Sequence, residues 1–367
     1  MNYALIGCGR ISPNHLMAAI ENKLNIVAIC DIIPANMEDK IERCSLPKGI
    51  KEYHDYQEML EQERLDLIAI ATESGKHAAI ALDCIAQGIN LIIEKPIALS
   101  LEDADAIIAA ADRKGVQVCA CHQNRFNKSV QKIREAVEAE RFGKLFHGTA
   151  HIRWNRGPSY YEQASWRGTW EQDGGALMNQ CIHNIDLLRW MMGDEIIEVT
   201  AYTDRLNHDY IEVEDLGIAL IRFKNGAYGI IEGTTNIYPS NLEETLNIFG
   251  ERGTVKTGGH SVNIIEEWLF ADQEDDSATV KAQYHENPPN IYGFGHKPLY
   301  ADMIDAIESK RKPYVDAQAG RRALELVLGI YMSAAKGQPI KFPLEKSKTT
   351  DFSDRFNNNT GIENDRL

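Results

Sequence analysis

The first residues able to do chemistry form a loop. Gly7-x-Gly9-x-x-Ser12 follows the apolar run Tyr3 to Ile6 and opens a helical pattern carrying Leu16, Met17 and Ile20. Such a loop lets a pyrophosphate reach backbone amides and sit on a helix N-terminus. Gly7 permits the tight turn and Gly9 the close approach, while Ser12 stands where the third small residue is usually Gly or Ala. Asp31 lies 31 − 9 = 22 residues after Gly9, at the end of the next apolar run. That is close to the roughly 20-residue interval expected of a carboxylate on the adenosine ribose. An anion there favours NAD over NADP, and Arg10 beside the loop keeps a 2′-phosphate in play. Ala71-Thr72-Glu73-Ser74-Gly75-Lys76-His77 and Glu94-Lys95-Pro96 each follow a further apolar run. Loops at the carboxyl ends of strands line the crevice of an open α/β sheet, so both should face the same ligand. Taken alone, a lysine at such an edge is more often solvated, and a lone His183 is more often a satisfied core residue.

Positioning these loops requires an α/β fold with a doubly wound parallel sheet. Short runs over 3–6, 25–30, 66–70, 89–93 and 116–119 read as strands, with helical patterns between them. They are apolar throughout, as strands covered on both faces are. This predicts a Rossmann domain over residues 1–122. Beyond it the pattern changes: a helix near 129–138, a strand over 145–154 and one helical stretch over 174–192. Strands follow at 198–202, 216–223, 228–234 and 244–249, with the hairpin signal Asn225-Gly226 between two of them. Residues 123–345 are therefore expected to form an α+β domain with a mostly antiparallel sheet. Within it, 271–290 reads as an acidic excursion loop and 319–335 as a helix. The polar tail 346–367 is expected to be mobile or tied to a neighbouring subunit.

Composition removes several classes. The chain has 367 residues and a net charge of −15, which argues against a nucleic-acid partner. No apolar run reaches the roughly 18–20 residues of a membrane span. Met1-Asn2-Tyr3 leads straight into a strand without a basic or apolar leader, so a cytoplasmic location is expected. Seven cysteines without a CxxC pair read as reduced buried thiols, and no metal site is expected.

In chain order, Gly7-x-Gly9, Asp31, Ser74-Gly75-x-His77, Glu94-Lys95-Pro96, Gln123-Asn124-Arg125 and Gly174-Gly175…His183-x-x-Asp186 form a set. That set resembles the glucose-fructose oxidoreductase / inositol dehydrogenase (Gfo/Idh/MocA) family over nearly the whole chain. A narrower match is to its bacterial UDP-N-acetyl-2-amino-2-deoxyglucuronate (UDP-GlcNAcA) 3-dehydrogenase branch. Tyr160-Tyr161-x-x-Ala164-x-Trp166-Arg167-Gly168 carries it, with Asp173-Gly174-Gly175-Ala176-Leu177-Met178-Asn179-Gln180, Val213-Glu214-Asp215 and Tyr292-Gly293-Phe294-Gly295-His296. Asn179 stands where many relatives place an Asp and fits the sugar-acid branch.

The resemblance implies NAD-dependent oxidation of a sugar C3 hydroxyl for surface polysaccharide synthesis. It also implies an open mixed C-terminal sheet through which subunits pack as a dimer or tetramer. It places Lys95 and His183 beside the reacting carbon, with His183 as base, Lys95 polarising the oxygen and Asn179 orienting it. A desolvated Lys95 exchanging roles with His183 stays open. Motif and resemblance together assign the cofactor to Gly7, Cys8, Gly9, Arg10, Ile11, Asp31, Ile32, Thr72, Ser74, His77, Glu94, Lys95, Pro96, Gln123, Trp166 and Arg167. The polyanionic substrate is assigned to Lys95, Arg125, Arg153, Tyr160, Tyr161, Asn179, His183 and His296, with Arg156 and Arg167 as further guanidinium candidates. Related enzymes regenerate the cofactor with 2-oxoglutarate, which makes that acid a candidate partner. An inositol-type polyol dehydrogenase, an NAD-bound sensor without activity and an NAD-assisted glycosidase are the competing readings.

Overall fold

The computed structural model describes residues 1–288 and 291–356. Its N-terminal half alternates strands and helices: β1 (Asn2–Ile6), α1 (Ser12–Glu21), β2 (Asn25–Cys30), α2 (Pro34–Arg43), β3 (Lys51–Tyr53), α3 (Tyr56–Gln62), β4 (Leu67–Ile70), α4 (His77–Ala86), β5 (Asn90–Ile93), α5 (Leu101–Lys114) and β6 (Val118–Ala120). The six strands pair in parallel in the order β3-β2-β1-β4-β5-β6. The order reverses between β1 and β4, and a crevice opens there beyond the strand ends. All four residues of β4 are buried, which is why it reads as a continuous apolar run.

The second half contains α6 (Lys128–Glu138), β7 (Leu145–Arg153), α7 (Pro158–Tyr161), α8 (Ala176–Asn179), α9 (Ile182–Met192), β8 (Ile196–Asp204), β9 (Leu216–Phe223), β10 (Tyr228–Thr234), β11 (Glu243–Gly250), β12 (Gly253–Gly258) and β13 (Ile264–Phe270). It closes with α10 (Ser277–Gln283), α11 (His296–Glu308), α12 (Ala317–Lys336) and β14 (Ile340–Lys341). The sheet order is β13-β12-β11-β7-β10-β9-β8-β14, antiparallel except for β7 beside β10. Burial alternates strictly along β9, so one face packs under helices and the other stays open. Gly226 makes the β9–β10 turn with φ +88, as the Asn-Gly signal requires.

Several expectations change. The stretch 174–192 is two helices, α8 and α9, broken at Gln180 and Cys181. The acidic segment is not all loop: α10 forms within it, capped by Asp276 and anchored through buried Val280. Lys132 and Arg141 hold its approach through Asp272 and Asp275. Residues 346–356 are tied to their own chain. Leu101 N–H donates to the Ser347 carbonyl (3.0 Å), Thr349 Oγ1 to the Trp170 carbonyl (2.6 Å), and Phe356 stacks on Trp170. The rest of the tail, 357–367, lies outside the described residues. Helix α12 packs on β8 and α9 and also on α5 and β6, so it joins the two halves.

Candidate active site

A crevice of about 1520 Å³ runs from the glycine loop to the break between α8 and α9. At one end, Gly7 sits at φ +94, and a Cβ there would stand 2.5 Å from the Ala71 carbonyl carbon. Only glycine closes this turn against β4. Gly9 has open space where a Cβ would be, which leaves its backbone approachable. The Asp31 carboxylate is fixed by the backbone: Cys8 N–H donates to Oδ2 (2.7 Å) and Ile33 N–H to Oδ1 (2.8 Å). Asn36 adds a bond at 3.2 Å. Loop and Asp31 carboxylate are thus locked together, an arrangement that fits an adenine dinucleotide. Arg10, Ile11, Ile32, Thr72 and Ser74 line the same end.

Glu94 and His77 line the crevice but spend their polar atoms on structure. His77 lies 2.8 Å from the Pro96 carbonyl and 3.2 Å from that of Thr72, and Pro96 itself is not at the wall. Glu94 Oε2 accepts from Lys95 N–H (3.1 Å), and Oε1 lies 3.0 Å from His15 Nε2. His15 Nδ1 reaches Tyr300 Oη at 2.8 Å, and Tyr300 meets Tyr3 at 2.9 Å. Burial would raise the Glu94 carboxyl, but His15 and His296 hold it well below the usual range. His296 lies behind Glu94, 3.8 Å away, and does not line the crevice, so it is not placed to touch substrate. Together with Cys121 these side chains bring four potential metal-ligating atoms within 4.8 Å of one another. Both nitrogens of His15 are already engaged, however, and the cluster acts as a brace for the Glu94–Pro96 turn.

At the other end, Lys95 Nζ donates to both oxygens of Asn179, the carbonyl at 2.8 Å and Oδ1 at 3.2 Å. Asn179 Nδ2 donates to buried Asp173, which also accepts from Gly168 N–H at 2.7 Å. Asp173 was not among the expected site residues; its signal is its place six residues before Asn179. His183 begins α9 across the break, with Nε2 3.5 Å from Gln123 Nε2 and its ring edge-on to His122. Burial, then the Lys95 ammonium, hold this imidazole well below its ordinary pKa, so it is neutral at pH 7. Burial also lowers Lys95.

The arginines divide. Arg125 is buried in a two-pronged bond with Asp186 (2.7 and 2.6 Å) and stacks on Trp190, away from the crevice. Burial raises Asp186, but Arg125 holds it well below the usual carboxylate range. Arg153 bonds Glu232 and Glu243 on the open face of the sheet. Neither is available to substrate, because each guanidinium already has carboxylate partners. Tyr161 also turns away, into a cluster with His208 and Tyr210. Tyr160, Trp166, Arg156 and Arg167 do line the crevice. Tyr160 Oη accepts from Arg167 (2.6 Å) and Gln180 (3.0 Å), and Arg167 stacks over Trp166. Glu244, Gln180 and Trp154 complete the wall without having been foreseen.

Comparison with known proteins supplies context. A family profile described as "Oxidoreductase family, NAD-binding Rossmann fold" matches residues 1–122. One described as "GFO/IDH/MocA C-terminal domain" matches residues 130–256. The WlbA dehydrogenase of Bordetella pertussis, solved with NADH and UDP-GlcNAcA, is 36% identical with TM-score 0.86, covering 94% of this chain and 98% of that one. The Chromobacterium violaceum WlbA dehydrogenase, solved with the same pair, is 35% identical with TM-score 0.85, covering 94% and 96%. Myo-inositol 2-dehydrogenase of Thermotoga maritima is 24% identical over 93% of this chain and 98% of its own length.

Proposed function

The chain belongs to the Gfo/Idh/MocA oxidoreductase family and is an NAD-dependent sugar or polyol dehydrogenase, and we propose that its substrate is UDP-N-acetyl-2-amino-2-deoxy-D-glucuronate, oxidised at the C3 hydroxyl to the 3-keto sugar. Bound NAD supplies the nicotinamide carbon that takes the hydride. The chain's own residues manage the proton. Lys95 spends two N–H bonds on Asn179, and as an ammonium it has a third hydrogen for the substrate oxygen. That charge eases removal of the hydroxyl proton, which His183, neutral at pH 7, accepts as general base. Asn179, held by Asp173, fixes where the oxygen sits.

The observation that carries the sugar-nucleotide reading is the supply of cations. Among the described residues, Arg156 and Arg167 line the crevice with no carboxylate in ion-pair contact. A diphosphate and a carboxylate need such guanidinium groups, whereas a neutral polyol does not. A free-polyol dehydrogenase remains the second reading, because the Thermotoga relative carries that name. Turnover on UDP-GlcNAcA against myo-inositol, with and without 2-oxoglutarate, decides between them. NADH formation on inositol alone refutes the proposal, and turnover sustained by 2-oxoglutarate supports regeneration of the cofactor.

The open face of the second sheet exposes Tyr202, Ile218, Leu220 and Tyr228. We assign this apolar face to packing between copies of the chain, with light-scattering mass as the test. Among the described residues no helix is long and apolar enough to cross a membrane.

A further inference from the structure

Strand β11 carries an acid on each face. Glu243 points to the open side and pairs with Arg153. Alternation turns Glu244 to the opposite face, level with buried Ile152 on β7. There an apolar residue would pack at no cost, yet a carboxyl sits at 3% exposure on the crevice wall. Its Oε2 has no hydrogen-bond partner among the described residues. A local rule broken this way points to a ligand. Burial pushes this carboxyl well above its usual range despite Arg156 and Lys95 pulling it down. That shift favours the O–H donor over the anion.

Arg156 lines the same wall. Its Nη1 donates to the Asn155 carbonyl (2.6 Å) and Asn241 Oδ1 (2.9 Å). Its guanidinium lies 4.4 Å over Trp154 and 5.0 Å over Tyr160, and its buried Nε has no partner. It makes no ion pair with Glu244 within 4.0 Å among the described residues. In contact, the two would neutralise each other and leave no charge for a ligand. Held apart, with Glu244 protonated, they offer one positive charge and a second donor.

We propose that Arg156 and Glu244 form the subsite for the carboxylate of the sugar acid, with the guanidinium supplying the charge and the Glu244 carboxyl a hydrogen bond. This rests on the sugar-acid reading above and adds the groups that select it over the neutral sugar. A sugar ending in a hydroxymethyl group leaves Arg156 uncompensated, and a site built for a polar group rejects the analogue lacking it.

The test is steady-state kinetics with UDP-GlcNAcA and UDP-GlcNAc on the wild type, Glu244→Leu, Glu244→Gln and Arg156→Lys, with NAD binding as the fold check. Glu244→Leu should raise KM for the sugar acid about tenfold or more, the loss of one hydrogen bond to a charged group. The loss should fall on KM, not kcat, and narrow the preference over UDP-GlcNAc by the same factor. Glu244→Gln keeps an uncharged donor and should recover most of that loss. Arg156→Lys, which keeps charge but loses the fork, should narrow the preference too, and it serves if Glu244→Leu fails to fold. Equal losses on both nucleotides, or Gln as damaging as Leu, overturn the subsite. Wild type inactive on the sugar acid but active on another polyol overturns the proposed function itself, a result read before any variant is made.

Discussion

The Lys95 ammonium is bound by both oxygens of one residue, Asn179, across the seam between the Rossmann half and the broken helix pair. The base candidate His183 stands four residues further on, so the two groups share one piece of scaffold.

Removing either member should stop chemistry without emptying the cofactor site. Lys95→Ala and His183→Asn should each lower kcat by about 10²-fold or more, the usual scale of a positioned acid or base. NAD binding, followed by fluorescence, should persist in both. Near-normal kcat in both variants would remove these residues from the mechanism. Because His183 is held below its ordinary pKa, the acid limb of the wild-type kcat/KM profile should fall below pH 6.5.

Asn179→Asp should also be damaging. It sets a carboxylate against buried Asp173, which burial already pushes up. Turnover should drop, and Asp173→Asn in the same chain should restore part of it. A double variant no better than the single would show that Asp173 does not position Asn179.

Asp31→Ala should weaken NAD and narrow its advantage over NADP. The variant also strips acceptors from the Cys8 and Ile33 amides, so a lower melting temperature should accompany it. An unchanged cofactor ratio would take the ribose away from Asp31.

Arg125→Leu should destabilise the fold by about 3–5 kcal/mol, because it strips the buried Asp186 carboxylate of its two-pronged partner and leaves it only the longer contact to Arg189 at 3.4 Å. Arg125→Leu with Asp186→Leu should cost less than either single change. A purely additive double variant, read by urea denaturation, would contradict the pairing.

Glu214 gives a pH dependence. Burial raises its carboxyl from 4.5 to about 8, while Leu177 N–H and Tyr331 Oη bond Oε1. The native state therefore binds an extra proton between those values, and stability falls as pH rises from about 4.5 to about 8. Glu214→Gln should flatten that slope in denaturation midpoints across the window.

Much of this was legible in the residues, for physical reasons that also explain the failures. β4 announces itself because both faces are covered and every position is apolar, and β5 nearly so after Asn90. β3, Lys51-Glu52-Tyr53, is an edge strand with one buried residue, and its charged pair hides it. The glycine loop and Glu94-Lys95-Pro96 are local motifs, so their meeting at the crevice followed from strand order. The arginines are not local. Arg125 finds Asp186 across 61 residues and Arg153 finds Glu243 across 90, and neither distance leaves a pattern in sequence. Glu244 left a faint one: consecutive acids in a strand point to opposite faces, so in a sheet covered on one face one of them is buried.

The C-terminal segment bears on how the protein is made. Gly320 of α12 lets the helix settle against Ala120 of β6 and Ile97, and Ser347 takes the amide of Leu101. Chains fold from the N-terminus as they leave the ribosome. Here the dinucleotide half must wait with its β6 edge uncovered until α12, far along the chain, has followed it. A prematurely stopped chain would bare apolar surface in the very half that emerged first, marking truncated products for the cell's chaperones and proteases.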